Sequence, residues 1–184
     1  MGRLPRDARG LEFEGAEPTE QPVHHVSIRK NFAIGRREVT FAEWDRCVAM
    51  SRLPTEAEWE YGARGGSTTP YLWGKDVGTG HAQCAECGGS ESGRAAPVGS
   101  FRPNAFGLYD TAGNAAEWVE DCWNLSYRGA PSDGSASSGD CSLRVLRGGS
   151  FRDKAIAIRS SARFRYHEDV RYYANGFRVA RDLD

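Results

Sequence analysis

The chain has no apolar run long enough to cross a membrane, and its first residues, MGRLPRDARG, lack the apolar segment of a secretory leader. It also lacks an excess of either charge. The formal net charge is −1, so composition makes no case for a nucleic-acid or membrane partner. Long helical periodicity is scarce. What stands in its place is glycine, 22 residues of it, with an aromatic content of 11%. A mean hydropathy of −0.60 is low, but that many aromatics keep the chain out of the disordered class. At 184 residues it reads as one loop-rich globular domain, long enough to bury a core.

Cysteine is sparse but patterned: Cys47, Cys84, Cys87, Cys122 and Cys141. No second C-x-x-C or C-x-x-H completes a zinc site with Cys84 and Cys87. A short disulfide or free thiols come before zinc, and a redox pair comes last. Cys122 and Cys141 flank a Gly/Ser/Asp-rich loop that a bridge between them would staple. Such bridges would imply an oxidising compartment and an exported protein.

Residues 1–22 are charged and rich in Pro and Gly and are expected to form an exposed arm. HHVSIRKNFAIG alternates and suits strand–turn–strand, with Val26, Ile28, Phe32 and Ile34 as its apolar set. EVTFAEWDRCVAM predicts a first helix, with Thr40 as N-cap and Trp44, Cys47 and Val48 on one face. A second helix follows Pro54, opened by the Thr55–Glu58 capping box and closed by Gly65-Gly66. LRVLRGGSF and NGFRVARDL alternate as strands, with an irregular Arg- and Tyr-rich stretch between them at Asp153–Ala174.

Read in order, EVTFAEW, RLPTEAEWEYGARGG, YLWG, PVGSFRPNAFGLYDTAGNAAEWVEDCW, RVLRGGSF and GFRVAR resemble the formylglycine-generating enzyme/sulfatase-modifying factor domain family. The resemblance runs from about Val23 to Arg181. It implies an α+β fold of the irregular C-type-lectin-like kind, with low regular secondary structure, two short helices and a small antiparallel sheet. The domain would span 23–184. It is shortened at 50–51, where the family carries a further helix-bearing segment, and the family's N-terminal strand is also missing.

The resemblance further implies a structural Ca²⁺ site, using the side chains of Asp110 and Glu117 and the main chain of Gly113 and Ala115. Ca²⁺ takes six to eight oxygens, and two carboxylates around a Gly-containing turn suit it. Gln83, beside Cys84, is a poor match for the family's second such site. Formylglycine generators hold copper with a cysteine pair after GGS, yet GGSFRDKAIAIRSSARFR contains no cysteine. Cu(I) selects soft thiolates, so copper is not expected and no catalytic residue is assigned. Relatives among the variable proteins of diversity-generating retroelements use the stretch between GGS and GFR to bind ligands. By analogy, Arg152, Asp153, Arg159, Arg163, Tyr166, Tyr172 and Tyr173 are the expected ligand-binding surface.

Other chemistry is weaker. His24 and His25 are adjacent and would point to opposite faces of a strand. No G-x-S-x-G elbow or triad order is present. The expected function is a calcium-stabilised module binding a peptide, protein or small molecule. The alternative is a formylglycine-generating-type oxidoreductase acting on protein cysteine through a divergent metal site.

Overall fold

A computed structural model describes residues 17–40, 52–88 and 93–183. The expected first helix and the shortened junction at 50–51 fall almost wholly outside these residues. Regular structure is sparse. The described α-helix, α1, is Glu56–Arg64. The described residues form six strands in chain order: β1 Phe32–Ile34, β2 Ala116–Cys122, β3 Leu143–Arg147, β4 Arg163–His167, β5 Asn175–Phe177 and β6 Ala180–Asp182. They form a two-stranded antiparallel sheet, β1–β6, and a four-stranded sheet ordered β4-β3-β2-β5. β2 and β5 run parallel, and the other pairs are antiparallel.

The helix forms where its local signals place it. Thr55 caps it: its hydroxyl accepts from the Glu58 N–H while the Glu58 carboxylate accepts from the Thr55 N–H. Gly65 ends it at φ 53°, in the left-handed region that favours glycine. Trp59 and Ala63 pack onto Val119 of β2 and Val145 of β3. Three expectations along the chain shift. HHVSIRKNFAIG forms regular strand only at its end, because β1 pairs with β6 and not within its own segment. The irregular stretch contains a 3-10 turn, Ala155–Ile158, and all of β4. NGFRVARDL breaks into β5 and β6, where Arg178 turns inward and is fully buried.

Residues 17–22, expected in the exposed arm, are not free of the domain. Glu20 is fully buried and accepts from both terminal guanidinium nitrogens of Arg159, at 2.8 and 2.6 Å. It is one of several such pairs. Glu56 and Glu60 lie four apart on α1 and so share a face. They meet Arg147 and Arg163, which stand directly opposite each other on β3 and β4. Arg178 holds Glu117 through two nitrogens. Other guanidinium donors go to loop carbonyls, Ser160, Ser161 and Ala162 for Arg147 and Gly35 and Tyr109 for Arg178, while Arg147 Nε is buried without a partner. A planar five-donor group can do this where a lysine cannot.

Removing one member of such a pair leaves a buried charge uncompensated. Arg159→Met should therefore cost about 3–5 kcal/mol, and adding Glu20→Gln should return much of it, as urea denaturation of both variants would show. Loss no larger in the single than in the double variant would mean the pair does not couple. Asp121 supplies a pH dependence. Its carboxylate accepts from the N–H groups of Glu56 and Ser137, yet burial, then the Glu56 charge, push its pKa from 3.8 up to about 7. The folded chain thus keeps this proton to higher pH than the unfolded chain. The associated stability is complete below 3.8 and is lost as pH rises through about 7. The stability of the wild type relative to Asp121→Asn should fall from pH 5 to pH 8; a constant difference in thermal melts would contradict the shift.

Candidate functional site

A cleft of about 330 Å³ opens where β4 and β5 flank the start of the irregular stretch. Its wall includes Ser150, Arg152, Asp153, Arg165, Tyr166 and Tyr172, with Asn175 at the entry to β5. Ser150 fixes one side: its N–H and hydroxyl both donate to Asp153 Oδ2, at 2.8 and 2.7 Å. That turn is also gripped from outside. Ala85 N–H donates to the Asp153 carbonyl at 2.9 Å, and Ala155 N–H donates to Glu86 at 3.0 Å. Aromatic rings line and extend the opening. Tyr166 and Tyr172 lie 6.1 Å apart, Tyr172 and Tyr173 lie 4.8 Å apart, and Tyr173 reaches back to Phe151. Tyr173 is 65% exposed.

Of the seven residues expected on a ligand surface, the structure brings Arg152, Asp153, Tyr166 and Tyr172 to this cleft, and Tyr173 lies beside it under Arg152. Arg159 and Arg163 do not belong there. Both are buried, Arg159 against Glu20 and Arg163 against Glu56 at 2.6 and 2.9 Å, with Arg163 also over the Tyr127 ring. Their carboxylate partners come from more than a hundred residues earlier, out of sight of any local reading. Sequence reasoning also missed Asn175. The side chain of Arg165 lies with that of Arg163 over the Trp123 ring, on the face of β4 opposite Phe164 and Tyr166.

The four residues of the expected calcium site lie around one turn. Asp110 adopts φ 56°, and its Oδ2 accepts from Gly99 N–H at 2.6 Å, while Oδ1 is buried without a partner. Glu117 is fully buried, and its oxygens meet Arg178 and the Trp59 indole N–H. Gly113 sits at φ 77° with its flank against the Gln83 carbonyl, so no side chain fits. A residue not anticipated, Glu38, joins them. It accepts from Asn114 Nδ2 at 2.7 Å and Ala115 N–H at 3.0 Å. Burial, then the charge of Glu117, push Glu38 up to about 8, and burial also raises Asp110. Three carboxylates thus share one buried guanidinium. Among the described residues no three His, Cys, Asp or Glu side chains converge closely enough to hold a metal by themselves, so an ion here would need carbonyl and water oxygens as well.

The structure bonds Cys84 to Cys87 and Cys122 to Cys141. Cys84 and Cys87 are core residues packed with Tyr71 and Ile158. Among the described residues no cysteine or histidine stands in the cleft wall.

Comparison with known proteins places this geometry. The family profile described as sulfatase-modifying factor enzyme 1-like domain matches residues 49–183. A formylglycine-generating enzyme of Streptomyces coelicolor is 37% identical over 181 residues, covering 89% of this chain and 53% of its own length. One from Thermomonospora curvata is 34% identical over 190 residues, covering 93% and 60%. The chain therefore spans little more than half the length of these relatives. Among solved structures, PvdO from Pseudomonas aeruginosa superposes with a TM-score of 0.83 at 32% identity, over 100% of this chain and 90% of its own. Treponema denticola variable protein 1 gives 0.59 at 36% identity, over 72% and 48%.

Proposed function

The chain belongs to the sulfatase-modifying factor domain family, and from that membership we propose that it is a calcium-stabilised ligand-binding module which does not carry out the cysteine oxidation of its formylglycine-generating relatives. The observation that carries this reading is the chemistry of the cleft wall. Among the described residues it offers guanidinium, phenol, hydroxyl and amide groups and a carboxylate, but no thiolate or imidazole. Copper held on paired thiolates does not fit these residues. What remains is a concave, aromatic-lined surface of the size that takes a small ligand or part of a peptide.

Calcium is the second part of the proposal. The orphaned Asp110 oxygen and the clustering of Glu38, Asp110 and Glu117 around one guanidinium suit a divalent cation, which would complete the one and favour the ionised form of the others. Asp110 and Glu117 would supply side-chain oxygens and Gly113 and Ala115 carbonyls, so the ion would tie the 110–117 turn to the start of β2.

Two measurements test this reading. Millimolar Ca²⁺ should raise the melting temperature by several degrees, and Asp110→Asn should shrink the rise; identical melts with and without Ca²⁺ would remove calcium from the proposal. Protein loaded with Cu(I) should not consume O₂ with a cysteine-containing peptide. Turnover in that assay would return the chain to the oxidoreductase alternative.

A further inference from the structure

Helix α1 shows the sheet only one side. Trp59 and Ala63 pack onto Val119 and Val145, and with about 3.6 residues per turn Tyr61 must point away from them. Gly62 lets two apolar side chains close on that outer side: a Cβ there would meet Leu108 at 3.2 Å and Ile34 at 3.5 Å. Asn104 locks the loop that carries Leu108 to the end of the helix. Its Nδ2 donates to the carbonyls of Gly62 and Ala63, at 2.7 and 3.0 Å, and its Oδ1 accepts from the N–H groups of Phe106 and Leu108.

The result is a fixed aromatic patch. Tyr61 is its middle ring, 6.5 Å from Phe32 of β1 and 5.4 Å from Phe106. Tyr61 is 54% exposed and Phe106 46%. Exposed rings held this rigidly suit a binding hot spot, because little side-chain freedom is left to lose. The charge around them is of one sign. Residues 29–37, RKNFAIGRR, carry four cations and no carboxylate, and residues 98–109, VGSFRPNAFGLY, carry one cation and no carboxylate. The four deeply buried arginines, Arg147, Arg159, Arg163 and Arg178, each meet a carboxylate. Arg36 and Arg37 meet none among the described residues. Both guanidinium groups lie against the Tyr109 ring, and Arg36 Nε donates to the carbonyl of Gly107, beside Phe106.

We propose that this face docks an acidic amphipathic helix of a partner protein. Side chains one turn apart on a helix stand about 5–6 Å from each other, close to the spacing of the three rings, so an apolar stripe lies over Phe32, Tyr61 and Phe106. Its flanking carboxylates meet Arg36 and Arg37. Two other occupants fit less well. A second copy in a two-fold contact would bring the same cations together. A lipid surface is entered by apolar groups to a depth of about 5–10 Å, and half-buried rings are too flat for that. The patch is also separate from the cleft: on β3, Val145 faces α1 while Leu146 faces the cleft. A partner held here leaves the cleft open, and the proposal does not depend on what the cleft binds.

The test is an NMR titration of the full chain with two capped helical peptides of about fifteen residues. Each carries a leucine stripe, one with glutamate and one with lysine on its other faces. The glutamate peptide should shift signals of Tyr61, Phe106 and Arg36, and the lysine peptide should bind at least about tenfold more weakly. Phe106→Ala should weaken the glutamate peptide about tenfold. Arg36→Gln with Arg37→Gln should weaken it about fivefold and remove most of its salt dependence. Thermal melts of these variants should stay close to wild type, because the side chains are exposed and make no ion pair; lost binding is then not lost folding. Equal affinity for the two peptides, or no shift at the patch with the glutamate peptide, would overturn the proposal. So would a dimer in light scattering that Phe106→Ala dissolves, which gives the face to a second copy. Shifts at these rings with phosphatidylglycerol vesicles and none with the peptide would give it to lipid and overturn the proposal equally.

Discussion

Arg178 is fully buried, and its guanidinium joins the two oxygens of Glu117 to the carbonyls of Gly35 and Tyr109, tying β2 to two loops and to the end of β5. The same arrangement recurs with Arg147, Arg159 and Arg163, and the architecture depends on it. A chain with so little helix and strand leaves many loop carbonyls without a ladder partner, and buried carbonyls must be satisfied. Arginine supplies several donors from one rigid plane, and the paired carboxylate cancels the charge that burial would otherwise penalise. Desolvating both ions is costly, so these pairs act mainly as geometric locks. Any other loop placement leaves a charge stranded.

That constraint explains what was legible in the sequence. The helix at Glu56–Arg64 is written locally: cap, box and terminal glycine lie within eleven residues, and the same box appears in space. The glycine-rich turn before β2 is equally local, since Asp110, Gly113 and Asn114 all take left-handed backbone. The buried pairs are not local. Glu20 looked like part of a solvated arm because its partner is Arg159, and Arg163 looked like ligand surface because its partner is Glu56. Nothing in the composition of RSSARFR distinguishes an arginine with a distant carboxylate from one without. β4 was hidden for a related reason: with Arg163 buried and Arg165 exposed on the same strand, burial does not follow the alternation of apolar and polar residues.

The division of arginines also separates scaffold from site. The scaffold set meets carboxylates and carbonyls through most of its donors, Arg147 Nε excepted, so those residues have little left to offer a ligand. Arg152 of the cleft wall lies instead against the Tyr173 ring. A binding surface can vary in such a fold as long as its residues are not the ones closing the ion-pair network, which is the physical condition for one framework to carry different ligand chemistries.

The Cys84–Cys87 loop connects the two. Its sulfurs sit in the core with Tyr71 and Ile158, while the backbone of Ala85 and the side chain of Glu86 hold Asp153 and Ala155. The turn that presents Arg152 and Asp153 is thus pinned from both directions, by Ser150 on the cleft side and by the cysteine loop behind it. A short bridge across two residues adds little loop-closure entropy to global stability. Its effect is instead to keep the Ala85 amide and the Glu86 carboxylate aimed at one turn, so Cys84 and Cys87 support the shape of the cleft from behind without standing in its wall.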